Sequence, residues 1–258
     1  MKKTKTLFWL FLCIISFAFK SSAQEWYFGF GCGYGFPVAG QALVNNNYTA
    51  FTNNFTTQSL SYGKGINFGL YGGYLFNKYA GIDLGISVLS GINTTSTNTN
   101  SGNFTDVDVS EYSGNMVRLI PGIRFQCGEH AIHPYCVLGF IACLYNSATI
   151  TDKNNTETYS GGYSYGFHGA LGARIMLNEK FSFYIEFASY FQNYVPAKMV
   201  ASPGGYETDF VNSGYNGYNT SSTQEPKIYL PFSSVGVNAG FQFSFVKAAK
   251  QAATPAPK

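Results

Sequence analysis

The residues able to do chemistry in this chain are few, and they fall into four groups. Three arginines, Arg118, Arg124 and Arg174, and three carboxylates, Glu25, Asp83 and Glu186, each stand singly among apolar neighbours. Charges withdrawn from water are costly unless paired, so this pattern points to a buried arginine–carboxylate network. His130 and His133 lie in GEHAIH beside Glu129. Such a pair can touch a metal, but nothing around it reads as a helix and no metal is expected. Beyond the apolar N-terminal run the cysteines are Cys32, Cys127, Cys136 and Cys143. With no Cys-x-x-Cys, zinc is not expected. Cys127 and Cys136 flank one short turn and are candidates for a disulfide, subject to their Cα separation. Asp106, Asp108 and Glu111 lie close together, as a loose divalent-cation site or simply a solvated loop. There is no G-x-S-x-G, no glycine loop set to cradle a phosphate, and no convincing pair of catalytic carboxylates. The reading is a non-enzyme without cofactor, and His168, followed by Gly169 and Ala170, joins the polar network rather than a catalytic group.

Positioning these residues falls to β-strands. The chain is rich in Gly (29), Tyr (20) and Phe (24), with only 11% charged residues, a composition suited to strands and turns. Eight segments alternate with period two: 25–38, 62–76, 80–90, 113–126, 134–146, 161–177, 181–194 and 229–245. Ahead of them, MKKTKTLFWLFLCIISFAFKSSA reads as a secretory signal peptide over 1–23, cleaved after Ala23. Its apolar run is shorter than the roughly 20 residues of a spanning helix. Cys13 follows Leu12, which argues against lipoprotein processing. Removing Lys2, Lys3, Lys5 and Lys20 with that segment leaves 12 Lys+Arg against 13 Asp+Glu, so nothing suggests a nucleic-acid partner.

The alternation sorts the charges. In 80–90, Ile82, Leu84 and Ile86 share one face and Asp83 takes the other. Val117, Leu119, Ile123 and Phe125 oppose Arg118 and Arg124; Phe167, Leu171 and Ile175 oppose His168 and Arg174. Glu186 opposes Phe181, Phe183, Ile185 and Phe187, and is expected to have an arginine partner. Gly29, Gly31, Gly33 and Gly35 form a stripe on the polar face of the first segment. The space they leave is filled by long side chains from opposing strands, or else is a small ligand cavity. The fifth segment, HPYCVLGFIACLYN, has no polar face and cannot be oriented.

Connections alternate in length. Residues 77–79, 127–133 and 178–180 are short; 39–61, 91–112, 147–160 and 195–228 are long and rich in Asn, Thr, Ser, Gly and Tyr. Within them 48–57 and 206–211 alternate weakly and read as strand extensions. An apolar face all round, charges inside, and long connections at one end only are the sidedness of a membrane-spanning barrel with short periplasmic turns and long extracellular loops. The fold expected is all-β, an eight-stranded antiparallel up-and-down transmembrane β-barrel over 24–246, with 247–258 as a disordered periplasmic tail.

The signal segment, the eight strands, the loop asymmetry and the final strand ending Phe241, Phe243, Phe245 resemble the small outer-membrane β-barrel family of Gram-negative bacteria, the OmpA/OmpX type. The resemblance departs from the commonest pattern in the residues that follow Phe245. It implies an outer-membrane location, contact with outer-membrane lipid and lipopolysaccharide, insertion by the barrel-assembly machinery, and loops displayed for binding. Some small barrels are lipid-modifying enzymes, but the serine that would accompany His168 in a deacylase is absent. The function expected is a membrane anchor displaying loops, chiefly 39–61 and 195–228, for adhesion, surface recognition or envelope integrity. The alternative is a narrow pore or a conduit for small molecules.

Overall fold

A computed structural model describes residues 25–38, 41–49, 52–101, 105–128, 131–211 and 224–246. Eight long strands carry the fold: β1 Glu25–Pro37, β2 Gly65–Leu75, β3 Ala80–Gly91, β4 Thr105–Gln126, β5 Ile132–Thr151, β6 Tyr163–Met176, β7 Phe181–Val195 and β8 Ser234–Val246. Each pairs antiparallel with its sequence neighbours. The ring closes where β1 pairs β8 along its whole length, Glu25 opposite Val246 through Pro37 opposite Ser234. Closure leaves no edge within the barrel, which a lipid-embedded sheet requires.

Two of the short turns use the same device. Asn77 Oδ1 accepts from the backbone N–H of Tyr79 (2.8 Å) and Ala80 (2.9 Å). Asn178 Oδ1 does the same for Lys180 (2.9 Å) and Phe181 (2.8 Å). The asparagine side chain thus supplies the acceptor that the reversing backbone lacks.

Strand alternation divides the side chains cleanly. Leu84, Phe167, Leu171, Phe187 and Phe243 stand exposed on the outside. Arg118, Arg124, Arg174, Gln242 and Ser244 are buried within. An exposed apolar surface running round the whole barrel fits hydrocarbon and not water.

The fifth strand, which the sequence left unoriented, turns Tyr135, Val137 and Ile141 inward and Leu138 and Phe140 outward. A register shift then follows: Val117 lies opposite Tyr145 but Arg118 lies opposite Cys143. Leu144 and Tyr145 both end up outside, at 64% and 57% exposure, and inward parity passes to Asn146 and Ala148. One extra residue in the strand, a β-bulge, has this effect.

At the end opposite the short turns, the connections are more regular than their sequence suggested. β4 and β5 run on together as far as Glu111 opposite Thr151. Thr94–Ser101 pairs with the outer part of β4, and Thr156–Ser160 with that of β5. Lys198–Ser202, Tyr206–Val211 and Gln224–Pro226 add further strands beside Thr156–Ser160. Gln41–Thr49 and Thr52–Leu60 pair as a separate hairpin. The reading of 48–57 and 206–211 as strand extensions agrees with the strands Thr52–Leu60 and Tyr206–Val211, and the expectation of irregular loops is corrected at Thr94–Ser101, Thr156–Ser160, Lys198–Ser202 and Gln224–Pro226, which with Tyr206–Val211 form a β platform. Runs such as TTSTNTNS lack an apolar face and escape hydrophobic periodicity, yet threonine favours the extended backbone.

Candidate functional site

The interior of the barrel is where the functional residues meet. Nearest the short turns, Arg174 of β6 reaches Glu25 of β1 at 2.7 Å, and its Nη1 also donates to Ser244 Oγ at 3.4 Å. His133 lies opposite Arg174 in the β5–β6 register. Glu129 and His130 lie outside the described residues.

One layer further in, Arg124 of β4 lies 3.8 Å from Asp83 of β3. Its guanidinium sits between two rings, 4.0 Å from the centre of Tyr135 and 4.8 Å from that of Tyr27. Flat packing of this kind suits a weakly hydrated, delocalised cation.

Glu186 faces the lumen, but its partner is not an arginine. Its carboxylate accepts from Tyr135 Oη at 2.8 Å and from Asn238 Nδ2 at 2.9 Å, and among the described residues no ion pair reaches it. The expectation of an arginine partner is corrected by the register: Glu186 stands opposite Asn238 on one side and Gly172 on the other. Gly172 leaves the room through which Tyr135 crosses; a Cβ there would lie 2.7 Å from the tyrosine ring.

Higher still, Arg118 is fully buried without a carboxylate. Its Nη1 donates to Asn67 Oδ1 at 2.9 Å, and it lies 4.5 Å from the ring centre of Tyr190. With the Gln192 amide oriented to satisfy both groups, its oxygen accepts from Arg118 Nε and Nη2, each at 2.9 Å. His168 stacks on the same Tyr190 ring at 4.8 Å, and its Nδ1 donates to the Ser189 carbonyl at 3.1 Å.

The glycine stripe of β1 is mostly filled, not from opposing strands as expected but by Tyr71 and Asn238 of the two strands paired with β1 and by Tyr184 of β7. A Cβ at Gly29 would collide with the Tyr71 ring, at Gly31 with the Tyr184 hydroxyl, and at Gly33 with the Asn238 amide. Tyr71 and Tyr184 meet edge-on at 5.4 Å. What remains open is a cavity of about 80 Å³, walled on one side by Gly31, Gly69 and Gly85 and on the other by Arg124, His168 and Glu186.

Above Arg118 the lumen ends in an apolar plug. Tyr62, Leu89, Met116, Tyr194, Phe210, Leu230 and Phe232 form one buried cluster. Phe232 stacks on Tyr62 (5.4 Å, 19°) and meets Tyr194 edge-on at 5.8 Å. Two short segments bring these rings in and are tied together. Tyr62 N–H donates to the Pro231 carbonyl at 2.8 Å, Ser61 Oγ to the Ser233 carbonyl at 2.6 Å, and Phe232 N–H to the Gln192 carbonyl at 3.1 Å. Burial raises the Tyr62 hydroxyl above the ordinary phenol range, so it stays neutral within the plug. The sequence reading placed Tyr62 and Phe232 near the starts of the segments 62–76 and 229–245 and did not foresee that their rings meet.

The remaining candidates are not brought together. Cys127 and Cys136 are free thiols. Cys136 lies opposite Phe125, while Cys127 N–H donates to the Pro134 carbonyl. The two cysteines are thus diagonal neighbours, a placement that typically sets Cα atoms about 7–8 Å apart, too far for a bridge. Glu111 accepts from Asn93 Nδ2 at 2.7 Å. The side chains of Asp106 and Asp108 lie outside the described ones. Among the described residues no group of His, Cys, Asp and Glu is set to hold a metal ion.

A closed eight-stranded antiparallel barrel, apolar outside and charged within, defines a β-barrel membrane protein. The chain belongs to the family of the outer membrane protein beta-barrel domain, whose model matches residues 9–243, and that family places it in the outer membrane. Among solved structures it is similar to the outer membrane protein OprG from Pseudomonas aeruginosa, at 16% identity and a TM-score of 0.47, covering 87% of this chain and 97% of that one. It is also similar to Ail, the attachment invasion locus protein of Yersinia pestis, at 11% identity and a TM-score of 0.38, covering 87% and 99%. A comparison with curated proteins gave no match.

Proposed function

We propose that this protein is a non-conducting, non-enzymatic anchor that holds a β platform outside the outer membrane for adhesion, surface recognition or envelope integrity. The observation that carries the reading is the plug. Phe232, Tyr62 and Tyr194 pack across the lumen on the side of the long connections. Beneath them, buried Arg118 and the Arg124–Asp83 and Arg174–Glu25 pairs occupy successive layers. A permeating ion would have to displace both apolar and charged layers.

On the same side, strands continue beyond the barrel and carry exposed groups such as Tyr206 and Lys198. Platform strands on a rigid scaffold are well placed for recognition. The apolar outer face and Lys227, 5.3 Å from the ring centre of Tyr163, suit contact with lipid and with the phosphates of lipopolysaccharide. The barrel-assembly machinery is the partner expected for insertion.

The test is excision of one platform segment. Cells carrying the chain with residues 41–60 replaced by an Asn-Gly turn are compared with cells carrying the full chain in a surface-adhesion assay. Loss of adhesion, with a barrel that still migrates differently on gels when unheated, supports display. Equal adhesion by both, and by cells lacking the protein, overturns it.

A further inference from the structure

We propose that the lumen cavity binds a small ammonium cation, of the size of ammonium or methylammonium, at the carboxylate of Glu186. Glu186 lines the cavity and is only half-buried; its strand parity turns it into the lumen, so the surface it keeps accessible faces that space. Its two hydrogen bonds come from neutral donors, Tyr135 Oη at 2.8 Å and Asn238 Nδ2 at 2.9 Å. Among the described residues no cation forms an ion pair with it. Each carboxylate oxygen thus has one lone pair engaged and a second to offer.

The charge of the wall selects a cation. Arg124 and Asp83 also line the cavity, but they lie 3.8 Å apart and offset one another. Arg118 is fully buried behind Asn67 and Tyr190, which line the cavity in its place. One negative charge is left over, and a carboxylate held away from water without a counter-charge is costly. His168 does not supply that charge. It lies over the same Tyr190 ring as Arg118, and an imidazolium there would set two cations on one ring. In the neutral ring Nδ1–H is given to the Ser189 carbonyl, which leaves Nε2 as an acceptor in a residue that lines the cavity. The site therefore suits a cation rich in N–H donors. A hard divalent metal ion is not matched, since it takes roughly six or more oxygen ligands. The rings of Tyr71 and Tyr184, meeting edge-on at 5.4 Å, complete the wall, and aromatic rings favour ammonium groups.

Size sets the upper limit. The cavity, at about 80 Å³, exceeds the roughly 10–15 Å³ needed for one water, and is about half the ~150 Å³ that accommodates benzene. Ammonium or methylammonium fits it. Gly69 keeps the space open: a Cβ built there meets nothing within 4 Å, so a side chain at this lining position enters the cavity without moving the strand.

The experiment uses methylammonium chloride as probe. Residues 24–258, labelled with ¹⁵N-histidine, are refolded into micelles at neutral pH with increasing methylammonium, so that entry into the lumen does not limit the result. The imidazole nitrogens of His168 are followed by NMR. Without the probe, a neutral ring protonated on Nδ1 is expected. With it, a saturable shift of Nε2 is expected, half-complete at on the order of 10 mM, near the ceiling for a ligand of two heavy atoms. Sodium chloride and the uncharged acetamide, at the same concentrations, should produce no such shift. Glu186→Gln keeps the shape of the side chain and removes its charge, and should weaken binding at least ~10-fold. Gly69→Val fills the space and should abolish the shift, with unheated gel migration unchanged in both variants. No saturable shift in the folded wild type would overturn the proposal and leave the cavity to water. An imidazolium at His168 without the probe would overturn it by supplying the missing charge from within. An equal response to sodium or acetamide, or binding undiminished in folded Glu186→Gln or Gly69→Val, would overturn it too.

Discussion

Removing the Glu186 side chain should destabilise the barrel through Tyr135 and Asn238, not through an arginine. The carboxylate accepts two hydrogen bonds, at 2.8 and 2.9 Å. Hydrogen bonds to a charged group contribute about 1.5–3 kcal/mol each, and Glu186→Ala strands two buried donors. Against this, a charge no longer has to be held away from water. The expected net loss is about 2–3 kcal/mol. The partner is identified by a double-mutant cycle. Glu186→Ala with Tyr135→Phe should couple by about 1–2 kcal/mol, whereas Glu186→Ala with Arg174→Ala should couple by less than ~0.5 kcal/mol. The two sites differ because Arg174 is already engaged by Glu25. Unfolding in urea from lipid vesicles gives the energies. Trp26 is a convenient reporter, being exposed on the outer face near the short-turn end, with the other tryptophan, Trp9, in the N-terminal segment. Negligible coupling to Tyr135, or a larger coupling to any arginine, would refute the assignment.

Three further outcomes are expected. Arg174→Ala should cost about 3–5 kcal/mol by leaving Glu25 unpaired, and adding Glu25→Ala should recover part of it in the same unfolding assay. Phe232→Ala removes a fully buried ring from the plug and should cost about 3–5 kcal/mol, and it should allow transient ion passage that the wild type lacks. Leu171→Arg puts a charge on the lipid face, where Leu171 is 67% exposed, and should cost about 2–4 kcal/mol if the site is near the midplane. A neutral result there would mean that the outer face is not in hydrocarbon.

The barrel was legible because lipid imposes a strict rule on sequence. Asp83, Arg118, Arg124, Arg174 and Glu186 could be turned inward from their parity alone, since each is flanked by residues suited to hydrocarbon. β5 carried no such marker. Its inward face includes Val137 and Ile141, and the bulge at Leu144 and Tyr145 switches the parity midway. Of the platform strands, 206–211 was legible from its weak alternation, whereas Thr94–Ser101 was hidden because Thr, Ser and Asn on both faces leave no hydrophobic period. The plug was illegible for another reason: Tyr62 and Phe232 are 170 positions apart, and only closure of β1 on β8 brings their segments together. Glu186 shows the limit of charge counting. Parity placed it in the lumen, but strand register, through Gly172 and Asn238, chose its partners.

The most direct measurement of the central claim is single-channel conductance of refolded residues 24–258 in a planar bilayer, with insertion verified independently. The account predicts a silent bilayer, because the Phe232–Tyr62 plug and the charged layers fill the lumen. Steady discrete openings in the wild type would contradict it and make the protein a pore.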